Sequence, residues 1–136
     1  MSKVFFDTNI LVYQIDNRNL KKRAICRDLF KESASKGEAA VSTQVLQEFY
    51  VTATVKLLVN PLLAKSLLRI MENLEVVTVG KDLINEAVDV SLLHKISFWD
   101  SLIVVAAESA ACELLYSEDL NAGQVIRNVR VVNPFM

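Results

Sequence analysis

Cysteine and histidine are scarce in this chain, with Cys26, Cys112 and a single His94 among 136 residues. Two isolated cysteines cannot build a disulfide framework or a thiolate zinc site, and one histidine excludes a histidine-based metal cluster within one chain. Both cysteines are expected as small core residues of a protein from a reducing compartment. Glycine is nearly as rare. Gly37, Gly80 and Gly123 leave no glycine-rich loop to cradle phosphates. No apolar run reaches the ~18 residues that a membrane helix requires. The start of the chain runs straight into a strand pattern, without the segments of a signal peptide. A cytoplasmic protein with no membrane association is the expectation. A charge excess is missing too. Lys and Arg number 15 against 16 Asp and Glu, so the chain lacks the basic surplus that many nucleic-acid binders carry.

What the chain has in quantity is apolar side chains, at 52% of residues. That exceeds the usual range of about 45–50%. Two explanations fit: a parallel sheet buried on both faces, or apolar surface covered by a partner or a second copy. The length suits one domain over residues 1–136, large enough to bury a core without staples.

Hydrophobic periodicity divides the chain into alternating strands and helices. Strands are expected at Val4–Phe6, 38–41, 75–79, Leu114–Tyr116 and Val129–Val132. Helices are expected at 8–15, 17–36, 43–58, 61–72, 81–95 and 98–112. Ser42 is a plausible N-cap, and Asn60-Pro61 supplies a cap followed by proline at the first helical position. The 81–95 helix should bury a face of Leu83, Ile84, Ala87, Val88 and Leu92. The alternation predicts an α/β fold with a central parallel sheet and helices on both faces. Sites in such folds form beyond the carboxyl ends of the strands.

Four acids fall near that edge. Asp7 closes the first strand and Asp119 follows the fourth, while Glu48 and Asp100 lie in early turns of helices. Each also has a purely structural explanation. Asp7-Thr8-Asn9 suits a strand-to-helix cap, and Ser97 through Asp100 matches a capping box. Glu48 would be an exposed helical glutamate, and residues 118–121 a solvated turn. Yet Phe49, Phe98 and Trp99 flank Glu48 and Asp100 with bulky apolar groups. If the fold gathers the four acids, their charge needs a cation. An all-oxygen set suits Mg²⁺ or Mn²⁺, and the chemistry such a site performs best is phosphodiester hydrolysis. A Ser-His-Asp device would have to use His94, which sits inside an otherwise structural helix.

The segments FFDTNILVY, STQVLQEFY, KISFWDSLIVVAA and LLYSEDLNAGQ, running on to VRVVNPF, resemble the PIN-domain ribonucleases. The resemblance is closest to the toxins of VapBC-type toxin–antitoxin pairs, and it spans nearly the whole chain. It implies a PIN-like domain with an acidic site that binds Mg²⁺ or Mn²⁺ and cuts RNA. By position, Asp7 and Asp100 match the central metal ligands, Glu48 the helix acid and Asp119 the last acid, in preference to Glu118. Thr8, Asn9 and Ser117 match the polar neighbours that orient ligands or water. The resemblance further implies a small antitoxin partner and a homodimer. The rivals are a housekeeping RNA-processing nuclease and a catalytically weak binding module on the same fold.

Two surfaces remain. Arg18, Lys21, Lys22, Arg23, Arg27 and Lys31 crowd one segment, either as a solvated helix face or as a patch that steers phosphates. The stretch 49–63 carries more apolar residues than one helix face needs. Core packing is the expected use, with docking of a second subunit or an antitoxin helix as the alternative.

Overall fold

The computed structural model describes residues 2–136. Strand β1 (Val4–Phe6) leads into α1 (Thr8–Tyr13) and α2 (Leu20–Ser35), and β2 (Ala39–Ser42) leads into α3 (Thr43–Val51). After α4 (Pro61–Met71) come β3 (Glu75–Val77), α5 (Lys81–His94) and α6 (Phe98–Ser109). The chain finishes with β4 (Leu114–Tyr116), β5 (Val125–Ile126) and β6 (Val129–Val132). The sheet order is β3-β2-β1-β4-β6-β5.

Every neighbouring pair is parallel except β5 with β6. The parallel sheet expected from the sequence therefore gains one short antiparallel edge. Two residues are too few to show a strand pattern, and β5 passed unnoticed for that reason. Side chains of β1 alternate between faces, yet Val4, Phe5 and Phe6 are all buried, so layers cover both sides of the sheet. On one side Phe6 meets Phe30 of α2 with ring centroids 5.6 Å apart. Helix α6 runs through the interior, with every residue from Ser101 to Ala107 buried. No single helix is long and apolar enough to cross a membrane.

The expected caps are in place. Ser42 accepts from the Val45 N–H, Asn60 from that of Leu62, and Ser97 from that of Asp100.

Three expectations need correction. The 43–58 helix does not continue as an α-helix: Thr52–Lys56 form a π-helical turn, with the Leu57 N–H donating to the Thr52 carbonyl at 3.1 Å. Val51, Thr52, Thr54 and Val55 crowd this stretch with β-branched side chains. The Thr54 hydroxyl also bonds the Tyr50 carbonyl at 2.8 Å, competing with the helical ladder.

The 81–95 helix buries a neighbouring face, through Ala87 and Val90, and leaves Ile84, Val88 and Leu92 exposed. Adjacent apolar pairs at 83–84 and 87–88 made two overlapping stripes, and packing against α6 uses one of them.

Core packing also fails to account for the 49–63 stretch. Phe49 and Ala53 are buried, but Val51, Val55, Leu58, Leu62 and Leu63 are exposed.

Candidate metal centre and its cleft

The pairing of β1 with β4 places two chain segments side by side just past the strand ends. There the Asp7 N–H donates to the Tyr116 carbonyl at 3.0 Å. Asp7 is buried and caps α1, its Oδ1 accepting from the Thr8 N–H at 2.8 Å. Its Oδ2 accepts from the hydroxyl of buried Ser117 at 2.8 Å. The same hydroxyl accepts from the Asp119 N–H at 3.2 Å, tying the loop after β4 to Asp7. The side chain of Asp119 is held in turn by the Asn9 amide, 2.9 Å from its Oδ2.

Glu48 arrives from α3, which packs against α1. The Thr8 hydroxyl donates to its Oε1 at 2.6 Å, and the Gln44 amide to its Oε2 at 3.3 Å. Gln44 also donates to the Trp99 carbonyl at 3.3 Å, which ties the first turn of α6 to α3.

Three of the predicted acids thus share one electrostatic field. Burial pushes the Asp7 carboxyl up to about 6; Ser117 and the Thr8 N–H work against this, and the charges of Asp119 and Glu48 add to it. Asp100 is linked to the other acids only through the backbone of its neighbour Trp99; its carboxylate neither lines the cleft nor bonds to them among the described residues.

The adjacent acids Glu118 and Asp119 face different surroundings. Glu118 is paired with Lys22 and accepts from the Tyr13 hydroxyl. Burial favours its proton, but Lys22 and Tyr13 outweigh that and hold the carboxyl below the usual range. The Lys22 ammonium also lies 4.9 Å from the Tyr13 ring centroid and 4.8 Å from that of Phe135. Asp119 instead borders an open cleft of about 540 Å³, together with Thr8, Asn9 and Glu48.

A family model of the PIN domain matches residues 4–127. The chain belongs to the PIN-domain family. PIN domains are nucleases, and the resemblance read from the sequence is thereby confirmed. No curated protein matches the chain. Among solved structures, VapC20 of Mycobacterium tuberculosis, a sarcin-ricin-loop-cleaving toxin, shares 20% identity at a TM-score of 0.70, covering 86% of this chain and 90% of that one. A toxin–antitoxin complex from Klebsiella pneumoniae shares 19% at a TM-score of 0.72, covering 97% and 98%. A DNA-bound VapBC from Salmonella typhimurium shares 20% at 0.68, covering 96% and 97%. At these identities the likeness establishes the fold.

The donor set of this PIN domain fits a hard cation in its chemistry. It is built of carboxylates, with hydroxyl and amide oxygens around them and no sulfur or imidazole. Buried Gln44 Oε1, beside Glu48, has no hydrogen-bond partner among the described residues. As the side chains are posed, no three acids among the described residues close around a common point. Thr8 and Asn9 hold Glu48 and Asp119 by hydrogen bonds instead.

Two residues around the site, Gln44 behind Glu48 and Asp16 in the cleft wall, escaped the sequence reading. Gln44 had only its place in STQ to announce it. Asp16, buried and paired with Arg18, was announced by the acid-then-arginine spacing of IDNR. Of the early basic segment, Arg18 alone lines the cleft; Lys22 pairs with Glu118, and the Arg27 Nε donates to the Gln14 carbonyl at 2.8 Å.

Proposed function

We propose that residues 1–136 form one PIN-like nuclease domain, a Mg²⁺- or Mn²⁺-dependent endoribonuclease that hydrolyses RNA phosphodiester bonds. The observation that carries this reading is the convergence of Asp7, Glu48 and Asp119 beyond the strand ends of a PIN fold, with Asp100 in the adjoining helical turn. Asp7, Asp100 and Asp119 would hold the cation, with Glu48 binding directly or through water. When bound, the cation would lower the pKa of the attacking water and offset charge on the phosphate.

The chain's own residues do the rest. Ser117 and the Thr8 N–H fix both oxygens of Asp7, so its orientation is set before any ligand arrives. Thr8 and Asn9 hold Glu48 and Asp119 at the cleft wall and orient them or the water between them. Gln44 links Glu48 to the start of α6 through its amide.

The VapC and VapBC neighbours support a role as the toxin of a type II toxin–antitoxin pair, in preference to housekeeping RNA processing or a catalytically weak binding module. In that role the protein works in the cytoplasm, is restrained by a small antitoxin and pairs as a homodimer. The exposed Val51, Val55, Leu58, Leu62 and Leu63, and the exposed Ile84, Val88, Leu92 and Leu93 of α5, support coverage by such partners.

RNA cleavage by wild type and Asp100→Asn, each with Mg²⁺ or with a chelator, tests the chemistry. Cleavage by wild type with Mg²⁺ alone is expected; equal cleavage by both proteins would sink the site assignment.

A further inference from the structure

The cleft continues past the acids, and its far end has the opposite charge. Helices α1 and α3 pack together, and the residues lining the cleft step along both, one turn at a time. On one side Thr8 and Asn9 are followed by Val12, Tyr13 and then Asp16 with Arg18; on the other, Glu48 is followed by Thr52 and Lys56. Eight residues separate Glu48 from Lys56, a rise of roughly 10–12 Å along a helix. A group bound near Lys56 is therefore a neighbour of whatever sits among the acids, not the same group.

This basic end is constructed. The Arg18 guanidinium lies across the buried Asp16 carboxylate, with Nε 2.9 Å from Oδ1 and Nη2 2.9 Å from Oδ2. That fork fixes its plane and leaves its remaining N–H donors free to face outward. The Arg18 side chain keeps 61% of its surface in solvent. Lys56 has no ion-pair partner among the described residues, and its charge lies near enough to Asp16 to help keep that acid ionised. It reaches the cleft from the π-helical turn, a rare form that is concentrated at functional sites.

We propose that Arg18 and Lys56 form a phosphate-binding subsite that grips the RNA strand beside the scissile phosphate, with Asp16 as the residue that positions Arg18. The inference rests on the ribonuclease reading and adds to it a register for the strand. It accounts for RNA binding by a chain of nearly neutral charge, since two cations placed in the cleft do what a basic surface does elsewhere.

The test uses the Asp100→Asn protein as parent, so that RNA is bound without being cut, and follows the anisotropy of a labelled single-stranded RNA octamer. Adding Arg18→Ala and Lys56→Ala should weaken binding at least tenfold at moderate salt. The slope of log affinity against log salt should flatten by about 1.4, at about 0.7 per lost phosphate contact on a single strand. Arg18→Lys with Lys56→Arg keeps both charges and should retain the slope, with a loss of affinity smaller than that of the double alanine variant because the fork on Asp16 is gone. Lys56→Ala alone, at an unpaired exposed position, guards against a folding effect and should flatten the slope by about 0.7. Unchanged affinity and slope in the double alanine variant, with the parent binding normally, would overturn the subsite and leave the nuclease reading intact. A parent that binds no RNA would overturn both.

Discussion

Asp7 and Asp16 each leave 6% of their surface exposed, and Asp16 lines the cleft while Asp7 lies behind it, yet their proton affinities are driven in opposite directions. Burial, with the charges of Asp119 and Glu48, carries Asp7 up to about 6. The Arg18 fork carries Asp16 down to about 2 against the cost of its burial. The difference lies in depth and in the partner: desolvation dominates at Asp7, and the Arg18 hydrogen bonds dominate at Asp16. Asp16 has a cation supplied by the chain, two residues away; Asp7 has a hydroxyl, one N–H and two more acids. A fold that buries Asp7 among like charges carries a standing electrostatic penalty that a divalent cation would remove. On the proposed reading, the acidic end would accept a cation from outside, and the basic end would present one.

The most severe break in this contrast is Asp100→Asn. It should lower Mg²⁺-dependent RNA cleavage by more than about 100-fold, beyond the ~10–100-fold typical of losing an outer partner of a metal ligand. Circular dichroism should show the fold unchanged.

Next is Asp7→Asn, which removes the buried charge and keeps a competent helix cap. In chelator at a pH above 7, urea unfolding should show it more stable than wild type by about 1–3 kcal/mol, since each unit of pKa shift is worth about 1.4 kcal/mol. The expected sign is the reverse of what losing a structural aspartate would give.

The pH dependence follows from the same shift. Asp7 has a folded-state pKa of about 6 against an ordinary 3.8, so the folded protein binds its proton more tightly than the unfolded chain does. The penalty is complete above about 6 and relieved as pH falls towards 3.8. Metal-free wild type should therefore gain stability relative to Asp7→Asn over that window, measured by unfolding midpoints at each pH. Asp16 behaves oppositely. Its contribution is complete above 3.8 and lost as pH falls through about 2. Arg18→Ala should raise the Asp16 carboxyl midpoint, followed by NMR, to 3.8 or higher.

The smallest effect is expected at Lys22→Gln, which releases Glu118 next to Asp119. Affinity for Mn²⁺ should rise by a few-fold only, since a cation is removed and an acid freed near the site; the change is smaller than the ~10–100-fold of a residue bonded to a ligand directly.

The sheet, and the places of Asp7 and Asp119 past its strand ends, were legible in the sequence, and the cleft was not. β1, β4 and β6 fell at their expected residues because β-branched and apolar runs bounded by polar ones leave little choice of frame. Ser42, Asn60 and Ser97 announced three helix starts through capping chemistry alone. Asp7 and Asp119 could be located because strand direction dictates which edge follows a parallel strand. Lys56 could not, since it reaches the cleft through a π turn, and periodicity carries no sign of one extra residue per turn. Gln44 was silent for another reason: an amide bridging two helices belongs to no spacing rule. The exposed side of α5 was misread because two apolar stripes overlap on one helix, and only tertiary packing selects between them.

The central claim is that the acids around Asp7 form a divalent-cation site. It is tested most directly by the Asp7 carboxyl itself, titrated by ¹³C NMR with and without Mg²⁺. Without metal the midpoint should lie near about 6. With saturating Mg²⁺ it should drop below the ordinary 3.8, because the ion displaces the proton. A midpoint that stays in place as Mg²⁺ is added would contradict the account.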